Sequence, residues 1–145
     1  MAELNKKYFV TELKQDIAEA PWNPVFTPQE ATRLLMMDRE MVPGAFYVEC
    51  AWFWPGDWPE IKPGDDRVKA HKHDYDEVIA FFGTNRDDPY DLGGEVELWV
   101  DGRQYLPTRS FLAFIPAGTE HCPLNIRRVD TPIFHFVAGT GKQYF

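Results

Sequence analysis

Alternating apolar and polar residues predict β-strands along the second half of the chain. Residues 95–100 alternate between the two classes, Asp101-Gly102 follows, and residues 103–106 resume an extended pattern. Asp-Gly between two such segments is typical of a tight hairpin turn. The alternation places Val96, Leu98 and Val100 on a buried face. Glu97 falls on the opposite face, where solvent contact is the simpler interpretation and an acid or base role in a cavity is the alternative.

Runs rich in aromatic and β-branched residues predict several further strands. They lie at 45–54, at 110–115 (an apolar run expected to be buried on both faces), at 120–124 and at 133–137, with a short one at 7–10. One helix is predicted from Thr27 to Met36. Thr27 can cap it, Pro28 suits the first helical position and Glu30 completes a capping box. Leu34, Leu35 and Met37 would form its buried side.

Residues 55–67 are rich in proline, glycine and acidic residues and are predicted to form a loop. Trp58 lies within this loop. Two interpretations stay open for it, a lid or substrate rim and a side chain that covers an apolar end of the core.

Composition and charge narrow the class of protein. The 145 residues suit one domain, and five Trp, six Tyr and eleven Phe suit a well-filled β fold. A net charge of −8 argues against nucleic acid or an anionic membrane as a partner. We find no apolar run of about 20 residues that would span a membrane and no signal-like start. The two cysteines form no disulfide framework, so a cytoplasmic protein with free thiols is expected.

Three of the four histidines fall in two short segments that predict one metal site. His71 and His73 can face the same side of a strand and reach one ion. On a straight strand Glu77 would lie about 20 Å from His71, so it can join them only if the chain reverses. Residues 74–76 (Asp-Tyr-Asp) favour such a turn. His121 would complete the set.

These segments resemble the two motifs of the cupins, G-x5-H-x-H-x3,4-E-x6-G and G-x5-P-x-G-x2-H-x3-N. The first motif matches with each glycine spacing off by one. In the second, Ser110 replaces the leading glycine, and Pro116, Gly118, His121 and Asn125 follow in register. The resemblance implies an all-β, cupin-type antiparallel β-barrel (jelly roll) with an N-terminal arm and a short helix. It implies that His71, His73, Glu77 and His121 hold the ion.

The domain organisation expected is an arm and helix at residues 1–40, packed on the barrel or on a second subunit, and a cupin barrel at 41–145. The resemblance suggests a homodimer.

Three imidazoles and one carboxylate suit a divalent transition metal. Fe, Mn or Ni is favoured because four protein ligands nearly close a Zn site, and Zn or Cu is possible. The expected function is a metal-dependent enzyme on a small oxygenated molecule, as an oxygenase (dioxygenase-type oxidoreductase) or as a Lewis-acid lyase or isomerase. A cupin that binds or senses a ligand without turnover is the alternative. A metal-free sugar isomerase or epimerase is disfavoured by the complete ligand set.

Two further residues are candidates for catalysis. Tyr75 lies between the ligands and could donate to a substrate or merely pack. His135 could line the barrel as a base or be a core histidine bonded to a neighbour. Cys122, next to His121, is predicted to point away from the ion as a buried structural thiol.

Overall fold

The computed structural model describes residues 7–23 and 26–141, and this part of the chain contains eight β-strands and no α-helix. The strands are β1 Ala31–Met37, β2 Tyr47–Phe53, β3 Glu77–Phe82, β4 Gly94–Val100, β5 Arg103–Tyr105, β6 Phe111–Ile115, β7 His121–Val129 and β8 Ile133–Gly139. The expectation of an all-β fold is confirmed.

Two antiparallel sheets enclose one core. The larger has the strand order β1-β2-β8-β3-β6 and the smaller has the order β5-β4-β7. Along each strand, residues that face the other sheet alternate with residues that face outward, as the two-residue period of a strand requires. The largest side chains that are fully buried between them include those of Phe81, Leu92, Val96, Ile115, Ile126 and Ile133.

The predicted hairpin is confirmed as β4, a two-residue turn and β5. Asp101 and Gly102 have φ values of 50° and 76°, the pair of positive angles that a tight hairpin turn of this kind needs. Val96 and Leu98 are buried, as their alternation predicts. Glu97 bonds to Arg127 and Asn125 on the other side of the sheet, which leaves it outside the cavity described below.

The predicted helix at 27–36 is wrong. The capping-box bonds do form, with Thr27 N donating to Glu30 Oε1 at 3.0 Å and Glu30 N donating to Thr27 Oγ1 at 3.3 Å. The chain then leaves this single turn and continues as β1, because its backbone groups pair along β2. Leu34 is 40% exposed rather than buried. Tertiary pairing therefore overrides a sound local helix signal.

Two strand expectations are also corrected. Residues 7–10 form no strand. β6 is not buried on both faces, because it lies at the edge of the larger sheet and leaves Leu112 and Phe114 66% and 62% exposed. The strand predicted at 45–54 is confirmed as β2.

The loop at 55–67 contains no strand, as predicted, and Trp58 packs on the core at one end of the barrel. Its ring contacts Phe26 and Phe53 edge-on, and its Nε1 donates to Trp54 O at 3.0 Å. Trp58 therefore covers the apolar core, which is the second of its two interpretations.

Among residues 7–23 and 26–141 we find no helix that is long and apolar enough to cross a membrane. The division of the chain at residue 40 stays a prediction, although β1 is hydrogen-bonded into the larger sheet.

Candidate metal centre

His71 and His121 meet because the segment before the bend runs antiparallel to the start of β7. His71 N donates to His121 O and His121 N donates to His71 O, both at 3.0 Å. A second pair of bonds joins Val68 and Leu124 in the same register. The two imidazole centroids consequently lie 4.4 Å apart.

The bend at Asp74 and Tyr75 brings Glu77 back to His73, as the sequence predicts. Glu77 is the first residue of β3, and its Oε2 lies 2.6 Å from His73 Nε2. Asp76 Oδ1 accepts a bond of 2.9 Å from Ala117 N. Gly118 N donates to His73 O at 2.8 Å, so the two motifs hold each other in place.

The four predicted ligands come together in two overlapping groups. The ligand atoms of His73, Glu77 and His121 lie within 4.8 Å of one another. His71 joins His121 in the second group, which also includes Cys122 Sγ. Bonds of about 2.1 Å to one octahedral ion place its ligand atoms about 3.0 to 4.2 Å apart, so the first group is close to this requirement.

Each of the three imidazoles bonds through Nδ1 to a nearby carbonyl oxygen. The acceptors are Lys69 O at 2.7 Å for His71, Tyr75 O at 3.1 Å for His73 and Thr119 O at 3.0 Å for His121. A carbonyl cannot donate, so Nδ1 carries the hydrogen in each ring. Nε2 is then the lone-pair nitrogen, which is the form that binds metal.

The polar atoms of the site are arranged as a bound cation would require. The Nε2 atoms of His73 and His121 are buried, and neither has a well-aligned hydrogen bond in the described structure. His73 Nε2 and Glu77 Oε2 both present lone pairs, yet they lie 2.6 Å apart. Two acceptors at this separation repel unless a proton or a metal ion lies between them. The donor set itself is that of a first-row divalent metal.

The electrostatics differ among the three rings. Burial lowers the pKa of His71 to about 4 and also lowers the pKa of His121. Burial acts in the same direction on His73, but the adjacent Glu77 carboxylate outweighs it and raises the pKa of that ring. In a neutral solution without metal, His73 is therefore the ring that holds a proton most readily, and a metal would displace it.

The site forms part of the wall of a cavity of about 540 Å³. Both candidate catalytic residues line this cavity as well. The ring of Tyr75 stacks on His73 with centroids 4.0 Å apart and planes 3° from parallel. His135 bonds through Nδ1 to Ala80 O at 2.8 Å and packs on Phe81, so it is held by the core and also faces the cavity.

Cys122 lies on the cavity side rather than pointing away. Its φ of 69° interrupts the alternation of β7, and this is why counting positions along the strand gives the wrong face. The thiol is 6% exposed, and burial raises its pKa, so the expectation of a buried structural thiol agrees with its surroundings.

Trp22 is a residue of the site that carries no recognisable signal in the sequence, whereas Asn125 belongs to the second motif. Trp22, in the N-terminal arm, stacks on His71, and its carbonyl accepts a 2.8 Å bond from Lys69 N. Asn125, the last residue of the second motif, accepts a 2.7 Å bond from Arg67 N and donates to Asp66. It fixes the backbone just ahead of the histidines rather than facing the cavity.

Comparison with known proteins gives the fold. No protein-family model and no curated protein matches the sequence. Among solved structures, the chain is similar to a recombinant oxalate oxidase in complex with glycolate, with a TM-score of 0.52 and 15% identity over 96% of this chain and 62% of that chain. The chain has the cupin fold. The chain spans somewhat less than two thirds of the length of the oxalate oxidase that it matches.

Other cupin-fold structures are similar at lower scores. One is a cupin protein from Bacteroides fragilis, with a TM-score of 0.46 and 13% identity over 88% of this chain and 90% of that chain. Another is a predicted oxalate decarboxylase from Thermotoga maritima, with a TM-score of 0.46 and 15% identity over 76% of this chain and 77% of that chain. The similarity to the oxalate oxidase structure confirms the expected cupin barrel, whereas the assignment of its four metal ligands stays a prediction that the geometry supports.

Proposed function

We propose that this cupin is a metal-dependent enzyme that acts on a small oxygenated molecule. One observation carries the proposal. The ligand atoms of His73, Glu77 and His121 lie within 4.8 Å of one another, and His71 joins His121 in an overlapping group. His71, His73 and Glu77 line the cavity, and the Nε2 atoms of His73 and His121 are buried with no well-aligned hydrogen bond in the described structure. A group that only stabilised the fold would have its polar atoms paired.

His71, His73, Glu77 and His121 would hold the ion, with Fe, Mn or Ni favoured and Zn or Cu possible. A bound divalent metal would supply Lewis-acid polarisation of a substrate oxygen or, if it is redox-active, electron transfer. The protein's own part is to fix the four donors by backbone bonds and to exclude water with a largely apolar wall. Because the cluster is mostly buried, electrostatic contacts inside it are stronger than the same contacts would be in water.

Tyr75 and His135 are proposed to meet the substrate. Burial lowers the pKa of His135 to about 4, so this ring is neutral at pH 7. A base with so low a pKa removes protons poorly, so we assign His135 Nε2 the role of accepting a substrate hydrogen bond. Tyr75 has its pKa raised by burial and by Glu77, so it keeps its hydroxyl proton and can donate.

The first experiment is elemental analysis of protein purified without added metal. Glu77→Ala and His121→Ala are expected to lose at least about 10-fold in metal occupancy. His135→Asn is a matched control, since it replaces a histidine of the same cavity that is not among the ligands. Unchanged occupancy in Glu77→Ala and His121→Ala would rule out this ligand set.

An oxygen-uptake screen against diols, hydroxyketones and hydroxy-acids then separates the two reaction types. Stoichiometric iron with uptake supports an oxygenase. Manganese or nickel with product but no uptake supports a lyase or isomerase. Metal and ligand binding with no turnover on any compound would favour the alternative, a binding or sensing cupin.

A further inference from the structure

The charges around the cavity narrow the class of substrate, provided that the proposed function holds. Among the described residues, the cavity wall contains three carboxylates (Glu19, Glu49 and Glu77) and one guanidinium, that of Arg33. Three negative charges and one positive charge give −2. With neutral imidazoles, a divalent ion would bring this total to zero.

Arg33 is already engaged by the protein. Its Nε bonds to Glu49 and its Nη1 bonds to Glu19, and both contacts are salt bridges. Tyr47 also donates to Glu49. An anionic substrate that turned to Arg33 would therefore meet two carboxylates as well, and no other lysine or arginine is present among the described residues of the wall.

Most of the remaining wall is apolar. It includes Phe26, Phe53, Val68, Ile79, Leu124 and Val137. A volume of about 540 Å³ falls in the range of cavities that hold drug-sized ligands, and it is far more than a two-carbon dicarboxylate needs. A dianion in such surroundings would lose its hydration, and neither the paired Arg33 nor a divalent ion already balanced by the wall carboxylates would have a surplus positive charge to compensate for that loss.

We propose that the substrate is an uncharged molecule with an apolar body and a pair of chelating oxygens at one end, such as an α-hydroxyketone, an enediol or a diol. Dicarboxylates and hydroxy-acids would be selected against. Glu19 and Glu49 set this preference because they neutralise Arg33.

The test is calorimetric binding to metal-loaded protein. The probes are α-hydroxyketones with phenyl, cyclohexyl and butyl bodies, each paired with the hydroxy-acid of the same body, together with oxalate. We expect at least one ketone to bind about 10-fold or more tightly than its paired acid, a difference of about 1.4 kcal/mol. Glu49→Gln removes one of the two carboxylates that neutralise Arg33 and should narrow this ratio by strengthening acid binding alone. Glu97→Gln, a carboxylate outside the cavity, is the matched control and should leave the ratio unchanged.

Metal content measured on the same samples separates the two possible failures. Protein without metal would overturn the proposed function. Metal-loaded protein that binds the acids or oxalate as tightly as the ketones, or that binds no ketone, would overturn the substrate class alone. A ratio that is the same in Glu49→Gln as in the native protein would also overturn it.

Discussion

The indole of Trp22 lies flat on the imidazole of His71, with ring centroids 4.3 Å apart and planes 9° from parallel. The N-terminal arm thus supplies a wall to a proposed metal ligand 49 positions further along the chain. The contact shields His71 from water, and burial is the main reason why its pKa falls to about 4. The arm therefore favours the unprotonated ring that a metal requires.

We predict that Trp22→Ala weakens metal binding by about 10-fold at pH 7.5 and by more at pH 6, as is usual when a group that supports a ligand is lost. Removal of the indole exposes His71 and raises its pKa toward 6.5, so protons compete better as the pH falls. Metal titrations at the two pH values measure the effect. Trp22→Phe keeps a stacked ring and should bind nearly as the native protein does. An affinity loss of equal size at both pH values would contradict the protonation argument.

Tyr75 is predicted to position His73 by being wedged between that ring and two glycines. A Cβ on Gly139 would lie 2.6 Å from Tyr75 Cε2, and one on Gly141 would lie 2.7 Å from Tyr75 Cδ1. Gly139→Ala should therefore displace the tyrosine ring and lower metal affinity about 10-fold or more. Tyr75→Phe keeps the wedge and should retain metal.

A double variant provides the control for this wedge. Adding Gly139→Ala to Tyr75→Ala should cost little further affinity, because the atom that clashes is already gone. Additive losses in a metal titration of the two single variants and the double variant would show that Gly139 acts in some other way.

Sequence reasoning predicted the proposed donors because metal ligation imposes short, regular spacing on them. It predicted a turn at 74–76 for the same reason, since Glu77 cannot share an ion with His71 along a straight strand, and the bend lies at Asp74 and Tyr75. It did not find Trp22, because stacking between distant segments requires no local pattern. It gave the wrong face for Cys122, because the positive φ of Cys122 itself interrupts the alternation of β7.

The failed helix at 27–36 shows the limit of local signals most clearly. Thr27 and Glu30 make both bonds of a capping box, and the pattern that follows suits a helix equally well. Contacts with distant parts of the chain decide that this segment becomes a strand. Arg67 forms a two-pronged salt bridge with Glu30, with distances of 2.9 and 2.6 Å, and β2 offers a complete strand edge to β1.

This salt bridge leads to a stability prediction. Arg67→Met keeps the aliphatic stem near the rings of Phe26 and Trp58 but leaves the Glu30 carboxylate, in a residue only 8% exposed, without its cation. Urea unfolding should show a loss of about 3 kcal/mol in the free energy of unfolding. Combining it with Glu30→Gln should restore part of the loss, because no buried charge is then left unpaired. A double variant that is less stable than Arg67→Met would count against the desolvation argument.

His135 should make the metal-free protein less stable in mild acid. Its pKa is about 4 in the folded state and near 6.5 when exposed, so between these values the unfolded chain binds more protons. Stability is then fully present above pH 6.5 and declines as the pH falls toward 4. From pH 7 to pH 5, this single group should cost about 2 kcal/mol of unfolding free energy. His135→Asn keeps a donor for the carbonyl of Ala80 but does not titrate. Urea unfolding of both proteins at pH 7 and pH 5 should give a smaller decline in the variant by about that amount. Equal declines would show that His135 is already protonated at pH 5 in the folded protein or that it remains neutral after unfolding.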